Sequence, residues 1–109
     1  MARASRSRPE TRRIALGEDL RIAQAREAFD AVSAAGAGAK ALEIDAAGVA
    51  RVDAAGLQAL AAAILRLGAA GVKCQWGEVS PTLTGAAELC GLSRALALPG
   101  VRNPSGQIK

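Results

Sequence analysis

The sequence predicts an α/β fold in which helices pack on a small sheet, and three observations carry the prediction. Short segments that alternate apolar and polar residues are interleaved with longer ones whose apolar residues recur every three or four positions. Turn residues, chiefly glycine, stand at the joints between them. Half of the 109 residues are apolar, yet Phe29 and Trp76 are the only aromatic ones. The core must therefore come from Leu, Ile, Val and 27 Ala, side chains small enough for helices to lie close on a sheet. The length suits one domain with one core.

In chain order, residues 1–10 are polar and basic and are predicted to be a disordered tail, ahead of a folded domain over 11–99 and a flexible C-terminal tail over 100–109. Thr11 to Leu16 alternates Ile14 and Leu16 with Arg13 and Ala15, an edge strand that ends at Gly17. Leu20 to Ala35 is predicted as the first helix, burying Ile22, Ala25, Phe29 and Val32, with Arg26 and Asp30 paired one turn apart and Gly36-Ala37-Gly38 as the stop. Gly36 to Lys40 superficially resembles a phosphate loop, but it follows a helix and precedes a strand, the reverse of the order such a loop needs. Ala39 to Asp45 is the central strand, with Leu42 and Ile44 set against Glu43 and Asp45.

Asp53 marks the next joint. Its carboxylate suits a helix N-cap, accepting from amides of the next turn and favoured by the helix dipole, so Asp53-Ala54-Ala55-Gly56 is predicted to open a helix running to Leu67. Leu57, Leu60, Ala61, Ile64 and Leu67 form its buried face, Gln58, Ala59, Ala62, Ala63 and Arg66 its outer face, and Gly68 and Gly71 its end. The tetrapeptide Asp-Ala-Ala-Gly also begins at Asp45, but there it leaves a strand, so the identity reflects an Ala-rich chain and not a repeat. Val72 to Trp76 reads as the last strand. Ser80-Pro81 places a capping hydroxyl before a first-turn proline, starting a helix that buries Leu83, Ala86, Ala87 and Cys90 and stops at Gly91. Leu92 to Leu98 continues as a short helical turn or strand on the core.

Charge and composition exclude several function classes. The net charge of +4 resides in residues 1–13, five arginines against Glu10, while the remainder balances nine basic against nine acidic side chains. A basic tail on a neutral domain is read as solvated, with contact to nucleic acid or anionic lipid as the alternative. There is no His, so the usual neutral-pH general base is missing, and no paired carboxylates or nucleophile with a base can be assembled; no catalytic residue is assigned. Cys74 and Cys90 are too few and too far apart for a disulfide framework or a zinc site and are read as buried core residues; no metal or cofactor is expected. With no targeting signal or uninterrupted apolar span, a soluble cytoplasmic protein is expected.

The run Ile44-Asp45-Ala-Ala-Gly-Val-Ala-Arg-Val-Asp53-Ala-Ala-Gly-Leu57-Gln58 resembles the signature of the STAS domain, found in anti-sigma-factor antagonists and in the cytoplasmic tails of sulphate transporters. Two flanking blocks extend the resemblance: Gly17 to Phe29 looks like the family's first strand and helix, and Val79 to Leu92 like its third helix with the Gly-Leu that follows. It implies an α/β fold with a small mixed β-sheet of about four strands and three to four helices mainly on one side, and a shortened first hairpin here.

In regulated members of the family a hydroxyl residue follows the Asp and is phosphorylated by a partner kinase, which switches binding off by adding charge. Here both positions are alanine, Ala54 and Ala55, so the resemblance implies a module that lacks the usual phosphosite; Ser80, Thr82 and Thr84 are the nearest hydroxyls and none matches it. The implied partner-binding residues are Asp53, Ala54, Ala55, Gly56, Gln58, Ala59, Ala62 and Arg66, the bland alternative being that the alanines only reflect helix propensity.

Two partner classes follow from resemblance: an anti-sigma kinase-like ATPase, as for the antagonists, or the ATPase of a lipid-asymmetry ABC transporter, with chemotaxis-associated STAS regulators alongside the second. A small anionic ligand or nucleotide held at the helix terminus is a third reading.

Overall fold

The computed structural model describes residues 11–98, so the expected N-terminal tail and C-terminal tail lie outside the described residues. The elements are β1 (Thr11–Ala15), β2 (Asp19–Leu20), α1 (Ile22–Gly36), β3 (Ala41–Ala46), β4 (Arg51–Val52), α2 (Ala54–Ala69), β5 (Lys73–Val79), α3 (Pro81–Leu89) and α4 (Ser93–Leu96). The α/β class is as expected. Among the described residues the strands form a three-stranded sheet in the order β1-β3-β5 and a two-stranded β2-β4 ladder, with parallel pairing throughout.

Period-two alternation in β3 sends Leu42, Ile44 and Ala46 into the core and leaves Ala41, Glu43 and Asp45 half-buried on the other face. The crossovers through α1 and α2 each advance one strand in the same direction, and right-handed connections then place both helices on one face of the sheet. Between sheet and helices lies an aliphatic core in which Val32, Leu42, Ile44, Leu57, Leu60, Leu83 and Leu96 are fully buried.

Several boundaries differ from the sequence reading, each for a local reason. Leu20 is not the first residue of α1 but a strand residue, buried and paired with Val52. Ile22, expected on the buried face of α1, is 72% exposed. Ten residues of helix carry it about 80° around the axis from Val32, off the buried stripe. β5 runs past Trp76 to Val79, through Gly77, where the Glu43 carboxylate fills the space that a Cβ would occupy. Gly68 does not end α2. The stop is Gly71, at φ 90°, with the Val72 amide donating to the Leu67 carbonyl at 2.9 Å across the turn.

The same device ends α3: Gly91 has φ 72°, and the Leu92 amide donates to the Ala87 carbonyl at 2.8 Å. Cys90 therefore sits at the cap and is exposed, not part of the buried stripe, and Cys74 is only half-buried, its thiol pKa pushed up by desolvation. The start of α3 follows the Ser80-Pro81 pattern, Ser80 Oγ accepting from the Leu83 amide at 3.1 Å. Beyond it α4 is a single helical turn, tied to the sheet where Trp76 Nε1 donates to the Leu96 carbonyl at 2.7 Å.

Candidate functional site

Asp53 reaches its position through the β2-β4 ladder. Pairing of Leu20 with Val52 brings the end of β4 alongside the chain that is about to enter α1, and the Asp53 amide donates to the Leu20 carbonyl at 3.3 Å. Extended backbone at Asp53, φ −133° and ψ 179°, turns its side chain back over the first turn of α2. Oδ1 accepts from the Gly56 amide at 2.9 Å and Oδ2 from the Ile22 amide at 3.0 Å, so one carboxylate caps the beginnings of two helices.

These bonds set the charge state. The Gly56 amide foremost, then those of Ile22 and Ala55 and the nearby Arg21 guanidinium, hold the Asp53 carboxyl below the ordinary carboxylate range against a smaller opposing effect of desolvation. Arg21 is itself engaged, its Nε and one terminal nitrogen donating to the two carboxylate oxygens of Asp19 at 2.7 and 2.8 Å. That hydrogen bond lowers the Asp19 pKa.

The sequence-assigned residues are spread over three environments. Ala54, Gln58, Ala62 and Arg66 are exposed, Asp53, Ala55 and Ala59 half-buried, and Gly56 buried. Gly56 is therefore no open donor at the tip: its amide serves Asp53, and a Cβ there would run into the Leu20 carbonyl oxygen. Ala63, expected on the outer face, is fully buried, since it lies three residues after Leu60 and four before Leu67. The outer face instead takes in Leu65, 75% exposed and two turns beyond Gln58. Its signal in the sequence was a leucine out of phase with Leu57, Leu60 and Leu67. Of the neighbouring hydroxyls, Ser80 is buried as a helix cap, Thr84 is half-buried and Thr82 is exposed.

A groove of about 730 Å³ lies at the other end of the helix pair, lined by Arg26, Phe29, Ser33, Arg66 and Leu67 among others, away from Asp53. Among the described residues no group of three or more His, Cys, Asp or Glu is placed to hold a metal ion, and no helix is long and apolar enough to cross a membrane.

Asp53 thus ends a short strand and caps the helix that follows, with Gly56 locked against the ladder, and a family model described as "Mlab, STAS domain" matches residues 4–100. The chain belongs to the STAS domain family. A solved structure agrees on the fold of this STAS domain: the crystal structure of a sulfate transporter family protein from Wolinella succinogenes, at 20% identity, superposes with a TM-score of 0.67 over 80% of this chain and 71% of that one. No curated protein matches.

Proposed function

We propose that this STAS domain is a non-catalytic interaction module that docks on a partner ATPase through the Asp53 tip and the outer face of α2, in the manner of anti-sigma-factor antagonists. The observation that carries the reading is that Gln58 and Ala62 stand in solvent along α2 and continue into Leu65, an exposed apolar residue on the same face. Small side chains at Ala54, Ala55 and Ala62 let another chain approach closely and lose little entropy in doing so, while Gln58 and Arg66 supply a polar rim.

Neither Ala54 nor Ala55 can be phosphorylated, so binding is constitutive at this position or controlled through the partner, and the working compartment is the cytoplasm. The family description favours the transporter branch as the second reading, in which the ATPase belongs to a lipid-asymmetry ABC transporter. A free anion or nucleotide at the terminus is the weakest of the three, because Asp53 already occupies the cap with its own negative charge.

The test is a binding titration of the purified domain against an anti-sigma kinase-like ATPase and an ABC transporter ATPase from the same cell. Ala62→Arg and Gln58→Glu should weaken binding to one of the two by about tenfold or more while leaving the melting temperature unchanged. Unchanged affinity in both variants, or binding to neither ATPase, rejects the docking reading.

A further inference from the structure

The parallel topology gathers charge of one sign at one end of the molecule. The three long strands start side by side, Thr11 opposite Ala41 and Ala41 opposite Lys73, and both long helices run back to finish at that same end. It carries Arg12, Arg13, Lys40, Arg66 and Lys73, with Glu43 as the acidic residue among them. Arg12 is tied to the end of α1, its Nη1 donating to the Ala37 carbonyl at 3.2 Å, and Arg13 lies 3.5 Å from Glu43. Among the described residues Arg66 and Lys73 have no ion-pair partner, and both are exposed. Further up α1, Arg26 and Asp30 offset each other. The opposite end, where the strands finish, holds Glu18, Asp19, Asp45, Asp53 and Glu78 against Arg21 and Arg51.

The helix dipole accounts for one of these cations, Arg66 in the last turn of α2, but not for Arg13 and Lys73, which stand on the face of the sheet that the helices leave open. The sequence adds to the same end, because residues 1–10 join the fold at Thr11 and bring Arg3, Arg6 and Arg8 against Glu10. Charges spread over a surface in this way suit a polyanion and not one small anion. The turns between them are short and exposed, Ala37 and Gly38 after α1 and Ala69, Ala70 and Gly71 after α2, so among the described residues no helix or ribbon projects there to enter a nucleic-acid groove. Neither aromatic ring is free to stack on a base: Trp76 is held by the Leu96 carbonyl, and Phe29 packs against the core. The polyanion that fits such an end is a flat anionic surface.

We propose that this basic end, together with the arginines that precede it, seats the domain on a membrane surface rich in anionic phospholipid. Lys73, Arg13 and Arg66 face the phosphates, and the Asp53 tip, at the opposite and acidic end, is left turned away from the lipid. The contact does not depend on the docking reading above and adds a second surface to it.

Co-sedimentation of the full chain with vesicles tests it, using phosphatidylcholine alone and phosphatidylcholine mixed with phosphatidylglycerol. The chain should sediment with the mixed vesicles only and be released by high salt. Lys73→Glu should weaken that binding about tenfold, and Arg3→Ser, Arg6→Ser and Arg8→Ser combined should weaken it by about tenfold or more. Arg51→Glu makes the same change in net charge at the other end and should leave binding as in wild type, with the melting temperature of each variant showing that it folds. Equal binding to neutral vesicles, no binding to the mixed ones, or full binding by Lys73→Glu or by the triple variant overturns the proposal. So does an Arg51→Glu effect as large as that of Lys73→Glu, which would make net charge and not this end responsible. Tighter binding to duplex DNA than to the mixed vesicles at the same salt assigns the end to nucleic acid and overturns it as well. The titration against the two ATPases needs no lipid, so that reading and this one fail separately.

Discussion

At the scale of single residues, Asp53 holds the most consequential position, because both of its oxygens face amides that would otherwise lack an intrahelical partner. Its folded pKa lies below the ordinary value, so under mildly acid conditions the folded chain binds fewer protons than the unfolded one. The stability contributed by this group is complete above the unfolded pKa and is lost as pH falls through the folded value. In urea unfolding followed from neutral pH downward, Asp53→Asn should lower the midpoint at neutral pH and converge with wild type on the acid limb. A gap that stayed constant down to the lowest pH would show that the carboxylate's charge is not what stabilises the tip. The assignment of Asp53 as a cap was legible from the residues that follow it; its second amide was not, since nothing in the local sequence marks Ile22 as a neighbour.

At the scale of elements, the contact between the start of α2 and the β2-β4 ladder depends on a missing side chain. Gly56 is buried against the backbone of Leu20, and backbone atoms cannot yield as the end of a flexible side chain can. Gly56→Ala should therefore destabilise the domain by about 1–3 kcal/mol despite the better helix propensity of alanine, read as a shift in the urea midpoint at unchanged slope. The limits of the sequence reading are visible in the same region. A two-residue strand is too short to show a period, so Asp19–Leu20 and Arg51–Val52 disappear into turns when only the pattern is read. Gly68 and Gly71 looked equivalent as helix stops, yet only Gly71 takes the positive φ that a stop of this type uses.

At the scale of the whole molecule, the C-terminal part of the described chain is tied back to the sheet through Trp76, whose indole N–H donates to the Leu96 carbonyl in a half-buried setting. Leu96 and Leu98 are buried in the common core, so α4 completes the core that the sheet and the two long helices begin. Trp76→Phe keeps most of the apolar area but leaves that carbonyl without its partner, a change of about 1 kcal/mol. Faster exchange of the Ala97 and Leu98 amides, which donate to carbonyls of α4, should accompany it. Loss of stability without that local loosening would mean that ring packing, and not the hydrogen bond, holds α4.

By itself the sequence determined the three longer strands and the three longer helices, the caps at Asp53 and Ser80, and the scarcity of groups able to do chemistry, because each of these rests on spacings within a few residues or on composition. Only the tertiary structure decided that Asp53 binds two helices and that Gly56 meets the backbone of Leu20. Those facts depend on which distant strands pair and on the helical phase relative to the core. Both are settled when the chain closes on itself, through contacts between residues that no local pattern connects.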